Sequence, residues 1–333
     1  MLEKCFAAFF TLAIMVTLAP RPVMAQSAAG GMPMRTPDGH PDVSGVFTFR
    51  TLTPLQRPAQ FAGQETLTPE EAAAFEASER TRQNRDLFDP ETGAPNAGYQ
   101  SREDGGVLSY NEFWYERGIE LTSDKRTSLI IDPPDGRYPP QTEAARMASR
   151  ERSAYRREHM YDSYENRGMG DRCIMFSKSG PPIRSGAYNN NLMIFQTAEH
   201  VVILTEQARQ ARVIPLEDTA KPPFEQLAGV SRGHWEGEIL VVETTQFRDW
   251  GNGRIGSDMQ LVERLTRLDS DTIAYEYTVT DPSVYTAPYT VMMPFRRTDG
   301  PLFEYACHEG NIGLYGILAG ARNLERLGRE LRP

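Results

Sequence analysis

Apolar and polar positions alternate with a period of two through most of the chain's second half. "NLMIFQTAEHVVILT" gives two such runs across a turn at Ala198-Glu199, and Ala211–Leu216 gives a third. "HWEGEILVVETTQF" is hairpin-like, with Glu236-Gly237 at the bend. "MQLVERLTRLDSDTIAYEYTVTD" gives two runs joined by "LDSD", and "YTVMMPFRRT" and "LFEYACHEG" give two more. Strands place successive side chains on opposite faces, so this pattern predicts at least seven antiparallel strands with short connections. The expected fold class is mainly β (α+β): an antiparallel β-barrel or sandwich.

The earlier residues read differently. "TLTPEEAAAFEASERTRQNR" is a helix start: Thr68 as N-cap, Pro69 at the first helical position and Glu71 closing a capping box. Thr142–Arg167 predicts a second, arginine-rich helix with a solvated face, and "NIGLYGILAGARNLERLGREL" a closing C-terminal one. "VFTFR" and "RTSLIIDPP" predict two early strands, and Phe88–Gly106 reads as a long loop. The organisation expected is residues 1–25 as a signal peptide, 26–60 as an extended segment, 61–170 as a helical and loop-rich arm, and 171–333 as the β unit with its closing helix.

The signal peptide follows from Lys4, the apolar run Cys5–Ala19 and the small-residue pattern Val23-Met24-Ala25. The apolar run is shorter than the ~20 residues that span a bilayer, and no later segment is apolar enough, so no stable membrane anchor is expected after cleavage. Removing residues 1–25 takes away two bases and one acid, moving the formal charge from −9 to −10. A negative chain without a basic cluster argues against nucleic acid as a partner. Localisation is expected to be periplasmic or secreted. There an even pair of cysteines, Cys173 and Cys307, is most simply a disulfide.

The motifs "DGHPDVSGVF", "LTPEEAAAFE", "YNEFW", "RTSLIIDPPDGR", "YNNN", "SRGHWEGEILVVETTQF", "DPSVYTAPYT" and "YACHEGN" together resemble a family of uncharacterised secreted bacterial proteins, from Asp38 to Arg322. The resemblance implies export and brings no assigned reaction. The strand succession also resembles calycin or lipocalin-type barrels, which implies a cavity for a small apolar ligand.

Candidate chemistry is sparse. "GVSRG" matches G-x-S-x-G, but no buried strand precedes it and no helix follows, so Ser231 reads as a turn residue. None of the five histidines, His40, His159, His200, His234 and His308, stands at metal-ligand spacing, and a site drawn from His234 or His308 with distant carboxylates stays open. No phosphate-binding or dinucleotide fingerprint is present, so no cofactor is expected. The best acid–base candidates are His308, Glu309 and Tyr277, with His308 projecting into a hollow from a strand opposite Cys307; a His bridging strands on the outside is the alternative. Asn189 and Asn191 share a strand face and could form a polar pocket wall; a turn or bulge is the alternative. Tyr110, Asn111, Trp114, Arg126 and Tyr289 complete the candidate substrate-binding set, although an Arg126 paired with a carboxylate could equally be structural.

Two functions fit. One is a cofactor-independent enzyme, a hydrolase or lyase acting by acid–base chemistry at a C–O bond of a small apolar or aromatic compound. The other is a lipocalin-like small-molecule binding protein without turnover. Both take a small molecule as partner, and the sequence leaves the oligomeric state open.

Overall fold

Alternation builds one continuous antiparallel sheet. The structure is a computed structural model that describes residues 35–84, 112–176, 178–217, 220–249, 256 and 258–329. The expected signal peptide, the 88–106 loop, Tyr110 and Asn111 lie outside these residues. The strands are β1 (Gly45–Thr48), β2 (Ile130–Asp132), β3 (Asn191–Gln196), β4 (His200–Thr205), β5 (Ala211–Pro215), β6 (Val230–Glu236), β7 (Ile239–Thr245), β8 (Gln260–Arg267), β9 (Thr272–Thr280) and β10 (Tyr289–Arg297). The helices are α1 (Pro69–Gln83), α2 (Glu143–His159) and α3 (Ile312–Arg326).

The strand order is β5-β4-β3-β1-β10-β9-β8-β7-β6, with β2 paired to β10 off this path. The two ends of the path return to each other. Gly233 of β6 faces Ile214 of β5 so closely that an added Cβ would lie 3.0 Å from its side chain. The sheet is therefore a nearly closed barrel, not a sandwich. Two meanders, β3–β5 and β6–β10, are joined edge to edge by β1, which pairs with β3 on one side and β10 on the other. Because β1 and β2 both precede residue 171, the barrel does not begin where the alternating pattern does.

Period two sorts the side chains. On β9, Ile273, Tyr275, Tyr277 and Val279 are buried, as are Tyr289, Val291, Met293 and Phe295 on β10. Their partners Leu192, Ile194, Val201, Ile203, Leu261 and Leu265 fill the same core together with Phe47 of β1. The core also holds a charge pair. Glu263 of β8, fully buried, receives both guanidinium nitrogens of Arg212 from β5 at 2.5 and 2.9 Å and the Tyr275 hydroxyl at 2.6 Å. The Tyr275 oxygen in turn accepts the Ile183 backbone N–H at 3.1 Å.

The helices start where the sequence says. Thr68 accepts from the Glu71 backbone N–H and Glu71 returns a bond to the Thr68 N–H, a complete capping box. Thr142 caps α2, which stops at His159 instead of running to Arg167; a 3-10 turn, Tyr164–Asn166, follows. Cys173 and Cys307 form a disulfide. No helix of the described residues is long and apolar enough to cross a membrane.

Candidate functional site

The expected last strand does not form. Residues 301–307 have no regular structure, and 308–310 are a turn leading into α3. Strand β10 already has β9, β1 and β2 as partners, so no edge is left for another strand. Gly310, at φ +67°, takes a left-handed turn that strands do not make. His308 and Glu309 are consequently exposed on this turn, not aimed into the barrel, and the assignment of His308 as an interior base is corrected accordingly.

A cavity of about 430 Å³ lies where α1 and residues 51–58 cover the barrel. Its apolar wall includes Leu52, Leu55, Leu129, Ile183, Val291 and Met293. Arg184, from the segment before β3, and Tyr277, from β9, line it together with Arg82 and Glu79 of α1 and the polar Thr51, Thr53, Gln60 and Gln83. Tyr277 is 1% exposed, and its hydroxyl has no hydrogen-bond partner of good geometry. Burial pushes this phenol well above the ordinary tyrosine range, and the Arg184 charge offsets that only in part. Tyr277 is thus a permanent proton donor at ordinary pH.

Arg184 is the unusual group. Its Nε is buried without a hydrogen bond, and among the described residues no carboxylate pairs with it. Burial works against the charge, yet a guanidinium stays protonated at any ordinary pH, so Arg184 keeps its charge among the phenols of Tyr277, Tyr289, Tyr138 and Tyr285. Three of those rings pack on one another: Tyr138 is edge-on to Tyr289 at 4.9 Å and stacked on Tyr285 at 5.8 Å. Tyr289, expected at the site, is buried in the barrel core and does not line the cavity. On the rim, Glu79 of α1 is held by Arg82 at 2.7 Å and by Gln83 at 3.0 Å. Arg82 keeps its carboxyl below the usual glutamate range, which makes it a weak base.

A second cavity, about 330 Å³, shares Ser185 and Gly186 with the first. Phe176, Lys178, Tyr188 and Gln207 line it.

The segment that carries Arg184 is pinned at several points. Besides the Ile183–Tyr275 bond, the Ser179 hydroxyl donates to the Gln207 carbonyl at 3.0 Å. The Gly186 N–H donates to Asn190 Oδ1 at 2.7 Å. Asn190 is fully buried, and its amide also donates to the Glu116 and Gly186 carbonyls at 2.8 and 2.9 Å. Asn191 donates to Glu116 Oε1 at 2.9 Å and to Glu206 Oε2 at 2.8 Å. Asn189 adopts a positive φ of 52°. The triple asparagine is thus a turn and an anchor, and neither Asn189 nor Asn191 lines either cavity.

Other candidates also fall elsewhere. Trp114 is 63% exposed in a 3-10 turn. Arg126 pairs with Asp124, the structural outcome. Ser231 lies within β6 and shares a hydrogen bond of 2.9 Å with Thr244, so it is a strand residue instead of a turn residue. His234 is half-exposed and meets Glu236 at 3.3 Å. Among the described residues, no three His, Cys, Asp or Glu side chains are placed to hold a metal ion. Arg184 had no signal in the sequence, because it sits in an irregular segment where no periodicity marks an inward face. In comparisons with known proteins, no family model matches the chain and no curated protein is significantly similar to it.

Proposed function

We propose that the protein binds a small amphipathic anion in the Arg184 cavity, without turnover, and works outside the cytoplasm. One observation carries the reading: Arg184, with no carboxylate partner among the described residues, stands beside the buried Tyr277 phenol in a cavity with a wall of Leu, Ile, Val and Met side chains. A buried charge without a counter-ion is costly, and so is a buried hydroxyl without a partner. A ligand carboxylate or phosphate would answer both, accepting from Arg184 and from Tyr277, while its apolar body lies against Leu52, Leu129 and Met293. The volume suits a small molecule. The enzyme alternative needed His308 and Glu309 as proton-transfer groups at this place; they are exposed elsewhere. What faces the cavity, besides apolar and neutral polar side chains, is Arg184, Tyr277 and the ion pair of Glu79 with Arg82. The disulfide and the expected leader favour an oxidising compartment.

The test is calorimetry and thermal unfolding with benzoate and medium-chain carboxylates against their methyl esters. Carboxylates are expected to stabilise the protein, by about 2.7 kcal/mol at one hundred times the dissociation constant. Arg184→Met should weaken them at least a hundredfold. Equal stabilisation by esters, or unchanged binding in the variant, would refute the anion reading. Ligand converted to product during the titration would refute the absence of turnover.

A further inference from the structure

We propose that Lys178 is the amine of a second site, in the 330 Å³ cavity, which captures small aromatic carbonyl compounds reversibly as imines. The chain has few lysines, Lys4, Lys125, Lys178 and Lys221, among many arginines. Lys178 is the one that lines a cavity among those described here. Its Nζ stands 4.6 Å from the centre of the Tyr188 ring. Its aliphatic stem runs over Gly186, where an added Cβ would come within 2.6 Å of Lys178 Cδ, so glycine leaves room for this path. The cavity also has an unused acceptor. Gln207 is 3% exposed, and its Oε1 has no hydrogen-bond partner.

Charge completes the setting. Burial lowers the amine to about 8, against the pull of Glu116 and Glu206, which favour its charged form. Glu206 is itself buried and Glu116 lies near Arg50 at 3.7 Å. At pH 7.5 a lysine near 8 is the free amine about two hundred times more often than one at 10.5. Burial alone would make a spare lysine. A cavity with aromatic walls, an open acceptor and two carboxylates near the amine makes a site.

The chemistry balances without an oxidant. The uncharged Nζ attacks the carbonyl carbon, forming a C–N bond, and the carbonyl oxygen gains a proton to become the hydroxyl of a carbinolamine. That hydroxyl leaves as water with the amine's second hydrogen, giving the imine. Gln207 Oε1 accepts from the carbinolamine hydroxyl, and Glu116 and Glu206 offset the charge of the protonated imine. Phe176 and Tyr188 favour an aromatic substituent. The proposal is independent of the anion reading, since it concerns the neighbouring cavity.

The experiment treats the intact protein with benzaldehyde and sodium cyanoborohydride at pH 7.5, then maps the reduced adducts by mass spectrometry. Lys125 and Lys221 are internal references. Lys178 is expected to be labelled at least tenfold more than either, with the preference shrinking above pH 10 as the references lose their protons. Gln207→Leu should lower Lys178 labelling severalfold while circular dichroism stays unchanged. Equal labelling of the lysines would overturn the site, as would labelling of Lys178 indifferent to Gln207. Formaldehyde labelling Lys178 with the same preference as benzaldehyde would overturn its aromatic character.

Discussion

Arg184 holds a positive charge against Leu, Ile and Met side chains, beside the Tyr277 phenol and with no carboxylate paired to it among the described residues. Without ligand, such a charge costs stability. Arg184→Met should therefore raise the stability of the empty protein, by about 1 kcal/mol or ~2 °C, while abolishing carboxylate binding. Thermal unfolding with and without benzoate checks both, and a lower melting temperature would mean that the guanidinium holds the tyrosines in place. Lys178 makes a pH prediction with a definite sign. Its folded value is about 8 and its unfolded value near 10.5, so between those values the unfolded chain binds more protons. Stability due to this residue must rise with pH across that window, by up to ~3 kcal/mol. Urea unfolding of the parent and Lys178→Met at pH 7.5 and pH 10 isolates the effect: the parent should gain on the variant at the higher pH. A constant difference would show an amine that stays solvated.

At the scale of elements, the site depends on a loop that is rigid because the barrel reaches into it. Glu263 binds Arg212 and Tyr275, and Tyr275 holds the Ile183 backbone next to Arg184. Glu263→Gln leaves Arg212 buried without its counter-ion and should cost about 3–5 kcal/mol by urea unfolding. Tyr275→Phe should cost less, about 1–2 kcal/mol, yet weaken anion binding, because only the anchor is lost. Anion affinity unchanged in Tyr275→Phe would mean that other bonds, such as Gly186 to Asn190, suffice. Legibility divides along the same line. The capping box at Thr68 and the hairpin at Glu236-Gly237 were readable, since short-range geometry sets them. Tyr277 was readable as an inward residue from its alternation with Glu276. "YACHEG" misled because alternation states only what a strand would bury, and the preceding strand β10 had no free edge to pair with it. Arg184 was silent for the opposite reason: an irregular segment takes its direction from tertiary bonds that leave no period.

For the whole molecule, the decisive element is β1, four residues long. The two meanders carry most of the sheet, yet β1 is what pairs with β3 on one side and with β10 on the other. Its Phe47 is fully buried in the shared core. Phe47→Ala should therefore cost about 3–5 kcal/mol as a cavity-forming change. Its local consequence should be uneven. Hydrogen exchange ought to accelerate first along β3 and β10, which lose their common neighbour, while the β7–β8 ladder far from the join keeps its protection. The disulfide gives a contrasting case. It ties the turn before α3 to Cys173, outside the sheet. By loop length alone it stabilises by up to ~5 kcal/mol, chiefly through the unfolded chain. Cys173→Ser with Cys307→Ser should thus lower the melting temperature without changing the exchange pattern of the barrel strands. If both changes loosen the same strands, the join at β1 is not a separate weak point and the barrel opens as one unit.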